Sequence, residues 1–334
     1  MTTPIALPTA GSRAEWLEQR RQGVGASDAS AILGLSAWES AYSLWEQKTG
    51  RVPLDVPVTE DQQELMDWGN LLEPVIREET ARRLGVTIEK PEHAYAHPDR
   101  LWQRVNPDGL TPDGVLFEAK NTHYRMAHLW EGQVPDHAEV QVHHGAAVLG
   151  ATHAIVAGLV GGNRLYVHEV TINPTVVQIL TEQEGEFWDY VQRDTPPPVD
   201  GHLRTMQALT REWAHRPGVK EVAQVEVEDH WQAYRDADAR LKAAERDKAQ
   251  ALAQITALMD GHDELVTGGR VWAKVQRTQV NLKRLTAEHP DLVAEYTTKP
   301  TFDLAAFKAA QPDLYRQYQG VSVRPKAPKN DVTE

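Results

Sequence analysis

No cysteine occurs among the 334 residues. That absence excludes disulfides, thiolate zinc sites, iron–sulfur clusters and cysteine nucleophiles together, so any metal has to be held by oxygen or imidazole. Long apolar runs are missing too. No stretch of about 18 or more apolar residues occurs, and the start, MTTPIALPTAGSRAEW, lacks a charged segment followed by an apolar one. The expectation is a soluble, unexported chain with no membrane partner. Basic residues are outnumbered, 35 Lys and Arg against 48 Asp and Glu for a net charge of -13, which argues against coating nucleic acid through overall charge. A local basic groove is still allowed. Residues 265–287 hold Arg270, Lys274, Arg277, Lys283 and Arg284 and no acid, which fits either a DNA path or a solvated strand face. No H-E-x-x-H or G-x-S-x-G motif is present, and the neighbours His93 with His97 and His143 with His144 read as exposed residues rather than zinc ligands.

What is present fits a globular protein: 41% apolar and 25% charged residues. The length exceeds a usual single domain, so one large domain with an appendage is expected. Helical spacing predicts a helix from Ser12 or Arg13 to Gln22. A second helix opens in GVGASDASAILGLS, capped by Ser27 or Asp28, with Ala31, Ile32 and Leu35 facing inward. A third carries Leu65, Trp68, Leu72, Val75 and Ile76 toward the core and stops at Gly85, with Pro74 either near its start or kinking it. Short strands over 93–105 and 115–119 follow, then a helix over 137–149. HAIVAGLVGGNRLYVHEVTI reads as a hairpin, and a further helix over 174–192 runs into TPPPVDG. Beyond that linker, residues 229–259 read as one long amphipathic or coiled-coil helix whose Trp231, Tyr234, Leu241, Leu252, Ile255 and Leu258 belong to a core. A hairpin around Gly268 and Gly269 and a disordered tail complete the chain. The fold class is α/β (α+β), a mixed sheet flanked by helices with a C-terminal helix and hairpin. The expected boundaries are 1–195 for the core, 196–222 for a linker and helix, 223–325 for the extension and 326–334 for the tail.

The stretch NPDGLTPDGVLFEAKN holds Asp108, Glu118 and Lys120 as D-x(9)-E-x-K. Glu118 and Lys120 stand two apart on an apolar strand and so project to one face, a costly arrangement unless that face is a site or is solvated. A hard cation such as Mg2+ takes oxygen ligands, which the two carboxylates and the carbonyl of Ala119 can supply. Water beside such an ion becomes a nucleophile near neutral pH, and a lysine can orient it or stabilise charge growing on a phosphorus centre. Glu73 qualifies as a third carboxylate and Gln141 as a nearby amide, each with a plain surface or core-edge alternative. Asp113, inside TPDG, is ordinary turn chemistry.

With these residues in hand, the chain resembles the YqaJ-like viral recombinase family, relatives of the lambda-type phage exonucleases within the PD-(D/E)xK nuclease superfamily. GVGASDASAILGLS, SAYSLWEQKTG, WGNLLEPVIREE, NPDGL, FEAKN and VPDHAEVQVHHGAAVLG occur in family order across roughly residues 15–195. The resemblance implies a restriction-endonuclease-like core with Asp108, Glu118, the Ala119 carbonyl and Glu73 around Mg2+ (Mn2+ substituting), Lys120 as catalytic lysine and Gln141 as the helix amide. It implies a 5′-phosphate site of Ser27 with Arg20 or Arg21; small residues and a helix N-terminus independently favour an anion there. It further implies 5′-to-3′ degradation of linear double-stranded DNA in phage-type recombination, a ring-shaped trimer, a single-strand annealing partner, and a phage or prophage protein in the bacterial cytoplasm. Arg270, Lys274 and Arg277 are expected along the DNA path. An endonuclease or nickase on the same core, or a non-catalytic DNA-end scaffold, are the alternatives.

Overall fold

The computed structural model describes residues 3–53, 59–211, 219–275 and Ala309. They fall into two units, Met1–Arg216 and Pro217–Glu334. The first runs β1 (Ile5–Ala6), α1 (Arg13–Arg21), α2 (Ala26–Ile32), α3 (Ala41–Lys48), α4 (Glu60–Leu84), β2 (Tyr95–His97), β3 (Arg100–Val105), β4 (Gly109–Leu110) and β5 (Leu116–Thr122). A 3-10 turn over Tyr124–Leu129 follows, then α5 (Asp136–Leu149), β6 (His153–Val160), β7 (Arg164–Thr171), α6 (Pro174–Gln192) and α7 (Leu203–Arg211).

Two sheets result. One has the order β1-β2-β3, the other β4-β5-β6-β7. In the second, β5 and β6 are parallel while β4 and β7 join antiparallel. A parallel pair needs a crossover, and α5 is that crossover. Strand alternation then sends side chains both ways. Leu116 and Val156 pack with Trp130, Ala138 and Val142 on the α5 side, while Phe117, Ile155 and Ala157 pack with Ile76 on the α4 side. A third cluster of Val24, Ala31, Leu44, Trp45 and Phe187 binds α2 and α3 to α6. The mixed sheet flanked by helices is therefore present as expected.

Several expectations need correction. The cap of α2 is Gly25, and Asp28 works from inside the helix, its carboxylate accepting the Gly25 N–H at 3.0 Å. Leu35 is 46% exposed, beyond the end of that short helix. Only part of the α4 stripe is core: Leu72 and Ile76 pack against Phe117, whereas Leu65 and Trp68 in the N-terminal half are exposed, and so is Val75, which lies on a different face from Ile76. Pro74 lies within one continuous helix; the missing N–H leaves Asn70 without its helical donor but does not end the element. His143 and His144 are buried rather than exposed. His144 bonds Glu184 of α6 at 2.7 Å and the Arg104 carbonyl at 2.8 Å, and Glu184 also accepts from Gln103 of β3 at 2.8 Å.

After the Pro-rich linker the chain returns to the first unit. Thr205 of α7 donates to Ser40 at 2.8 Å, and Arg211 pairs with Glu46. The second unit contains α8 (Gln224–Met259), β8 (Glu264–Thr267) and β9 (Arg270–Lys274), the last two forming an antiparallel hairpin. No residue of α8 is buried among the described residues, so its apolar positions do not form the expected core there. Residues 326–334 lie outside the described residues. Among the described residues no helix is long and apolar enough to cross a membrane.

Candidate active site

At the edge where β4 meets β5, four elements bring their charged groups together. Asp108 leads into β4, and its Oδ2 accepts the Ala119 N–H of β5 at 2.9 Å. Its main-chain carbonyl accepts from Arg77 of α4, also at 2.9 Å. Glu118 and Lys120 share the α5 face of β5, and the Lys120 ammonium donates to Glu118 Oε1 and to Gln141 Oε1, each at 2.5 Å. The buried Gln141 thereby fastens α5 to the lysine. Glu73 approaches on α4, where its Oε1 accepts from Arg77 at 3.0 Å and from Lys90 at 2.9 Å. The Lys90 ammonium also stands 3.7 Å from Asp108 Oδ1, spanning the two carboxylates.

Electrostatics mark Asp108 as the strained member. Burial, reinforced by the negative charge of Glu118 and then Glu73, lifts its carboxyl from 3.8 to about 7, although the Ala119 N–H and Lys120 pull the other way. A buried acid crowded by two more has a stake in a cation. His137, one turn ahead of Gln141, is held below the ordinary histidine value, first by burial and then by Lys120. Among the described residues no three histidine, aspartate or glutamate side chains form a closed cation cage. The donor set that suits a hard ion is Asp108 and Glu118 completed by main-chain oxygen, with Glu73 beyond Lys90. Asp113 stays in its turn, accepting from the Thr111 hydroxyl.

A second group forms around α2. Arg20 Nη2 donates to Ser27 Oγ at 3.1 Å and reaches Asp28 Oδ1 at 3.2 Å. Asp28 is buried, and its other oxygen accepts from Lys48 at 2.6 Å. Burial alone would raise the Asp28 carboxyl, but Lys48 and Arg20 hold it down to about 2. The anion demand of the α2 N-terminus is thus met internally by Asp28, while Ser27 and Arg20 beside it are exposed. Arg21 lies apart, in a groove lined by Glu18, Lys48, Thr49 and Trp188. In the second unit, Arg270 stacks over Trp272 at 4.9 Å and Lys274 pairs with Glu264 at 2.5 Å. Arg277 lies outside the described residues.

The structure brings Asp108, Glu118, Lys120 and Gln141 into one site, with Glu73 at its margin, and puts Arg20 beside Ser27. Sequence reasoning missed Lys90, Arg77, Lys48 and the Glu184–His144 pair. SLWEQKTG carries Lys48 as a charge on an apolar helix, the one signal that could have found it.

Comparison with known proteins gives three results. Residues 15–153 match the YqaJ-like viral recombinase domain. YqaJ of Bacillus subtilis (strain 168) is 33% identical over 216 residues, covering 63% of this chain and 66% of that protein, so the match spans just under two thirds of the relative. Among solved structures, an alkaline exonuclease (LHK-Exo) from Laribacter hongkongensis aligns with a TM-score of 0.45 at 15% identity, over 60% of this chain and 98% of that one. The same exonuclease in complex with dAMP aligns with a TM-score of 0.45 at 16% identity, over 60% and 98% respectively.

Proposed function

We propose, from the YqaJ-like viral recombinase domain matched over residues 15–153, that this chain is a metal-dependent deoxyribonuclease that degrades linear double-stranded DNA from its 5′ ends during phage-type recombination. The observation that carries the reading is the lysine bridge: Lys120 bonded to both Glu118 and Gln141 beside a buried Asp108. A structural ion pair has no use for a second acid whose carboxyl is driven up to about 7.

Asp108 and Glu118, with the Ala119 carbonyl, would hold Mg2+, with Mn2+ able to substitute, and Glu73 would complete the set on exchanging its Lys90 partner for the ion. A divalent ion in that position supplies Lewis-acid polarisation of the phosphate and lowers the pKa of nearby water. The residues of the chain do the rest. Gln141 fixes the Lys120 ammonium, which orients the attacking water and offsets charge growing on the phosphate oxygens. Arg20 and Ser27 take the terminal 5′-phosphate, setting which bond lies over the site. The same reading includes a ring-shaped homotrimer, an annealing protein as partner, and work in the cytoplasm of a bacterial host.

The test uses linear duplex DNA, 5′-phosphorylated and labelled at either end, with Mg2+ or with chelator, beside Lys120→Ala. Metal-dependent loss from the 5′ end, at least about 100-fold weaker in the variant and absent on closed circles, is the expected result. Cutting of circles would move the activity to an endonuclease or nickase. Binding without cutting would leave a DNA-end scaffold.

A further inference from the structure

Helix α8 is 36 residues long and buries none of its side chains among the described residues. At 1.5 Å per residue it spans about 54 Å, and apart from Val225 and Leu258 its large apolar residues fall into two rows along that length. Val227, Tyr234, Leu241 and Ile255 occupy one row with a seven-residue repeat, in which Lys248 is the exception. Trp231, Leu252 and Met259 occupy a second row, interrupted by Asp238 and Glu245. The two rows alternate by three and four residues, the seam of a coiled coil. Tyr234, Leu241 and Leu252 are 50%, 59% and 60% exposed, too much apolar surface in one line to be incidental.

The three charged residues inside the seam decide what can cover it. A parallel, in-register copy would put every seam residue opposite itself, so Asp238 would face Asp238, Glu245 would face Glu245 and Lys248 would face Lys248. An antiparallel copy centred on Ala243 behaves differently. Asp238 meets Lys248 of the other copy, and two-fold symmetry makes that pair twice. The bulky ends also match, Trp231 to Ile255, Tyr234 to Leu252 and Val227 to Met259. Leu241 faces Glu245, whose methylene stem can lie along the leucine while its carboxylate reaches water. We propose that α8 is a homodimerisation surface that pairs antiparallel with α8 of a second copy of this chain. The inference rests on seam spacing and charge, and is independent of the catalytic reading.

Because the chain has no cysteine, introduced cysteines report unambiguously. Full-length Trp231→Cys and Ile255→Cys chains, each alone or co-expressed, would be treated with a short bis-maleimide. Crosslinked dimer is expected only from the co-expressed pair, since like positions lie 24 residues, about 36 Å, apart. Crosslinking of each variant by itself would establish a parallel pair and overturn the proposal. No crosslinking in any sample would overturn it as well, leaving the chain's own residues 276–334 or a different partner over the seam. In a second experiment, Lys248→Asp should lose the dimer in light scattering, and adding Asp238→Lys in the same chain should restore it. Failure of that restoration would remove the charge argument.

Discussion

Asp108 is where the chemistry of single residues is most exposed to measurement. With its folded-state carboxyl at about 7 against 3.8 when free, the native protein without metal binds more protons than the unfolded chain between those values. Stability is therefore highest at the acid end of that window for this group and declines as pH rises from about 4 to 7. Replacing the acid by an uncharged isostere should remove the dependence: thermal melts of metal-free Asp108→Asn should vary less between pH 5 and pH 8 than those of the parent. Equal slopes would mean that burial and the neighbouring Glu118 and Glu73 do not raise this carboxyl. Asp108, Glu118 and Lys120 were legible in the sequence because they lie within thirteen residues and obey strand periodicity. Gln141 and Glu73 gained their meaning from the family resemblance. Lys90 and Arg77 were not legible at all, since they reach the site through contacts between α4, the segment before β2 and β4, and no local spacing records that. The group proposed for the phosphate was half legible: Ser27 was named, but whether Arg20 or Arg21 stands beside it turned on which way α1 rotates, and in the fold Arg20 pairs with the buried Asp28.

Elements are held in register by a few buried contacts. The Glu184–His144 pair joins α6 to α5, and both side chains are fully buried. Burial works against the histidine proton, but the Glu184 carboxylate outweighs it and raises the pKa. The stabilisation from this pair is present below the ordinary histidine value, about 6.5, and is lost as pH rises through the raised one. Removing one partner strands the other, so Glu184→Ala should cost about 3–5 kcal/mol in denaturant unfolding; a cost below about 1 kcal/mol would show that water replaces the carboxylate. Since His144 and Gln141 lie one turn apart on α5, the same change should also weaken the hold on Lys120. Packing is equally strict at Gly158 of β6, where an added Cβ would come within 2.5 Å of the Trp130 ring. Gly158→Ala should destabilise by about 1–3 kcal/mol in the same measurement, and a neutral result would mean the indole can shift. Most element types were readable from periodicity, α3 being missed, and the α6 limits agree to the residue, because Asn173 and Pro174 form a strong start signal. Which faces are covered was not readable. The exposed half of α4 and the open seam of α8 carry the same apolar spacing as a buried helix, and spacing does not reveal how far a sheet extends.

At the scale of the molecule, a net charge of -13 means that the proposed DNA contact would depend on a few local cations. Substituting Arg270, Lys274 and Arg277 together by Ala should weaken duplex binding and lower the slope of log affinity against log salt by about one for each lost phosphate contact. An unchanged slope in a filter-binding titration would assign them to the surface. A two-fold pairing of α8 cannot close within a three-fold ring, so in a trimeric enzyme it would join one ring to another. The Pro-rich linker at 195–201 put the expected core boundary at 195, whereas the compact unit runs to Arg216, because α7 beyond that linker folds back onto α3 through hydrogen bonds that leave no trace in composition. β5 and β6 are parallel, and their pairing must wait for some thirty residues of intervening chain to fold as the crossover. Such non-local closure is slow compared with forming a hairpin or a helix. Asp108 already meets the Ala119 N–H within the local β4–β5 hairpin, whereas Gln141 reaches Lys120 from the crossover itself, so the lysine bridge belongs to the later contacts of this unit to form.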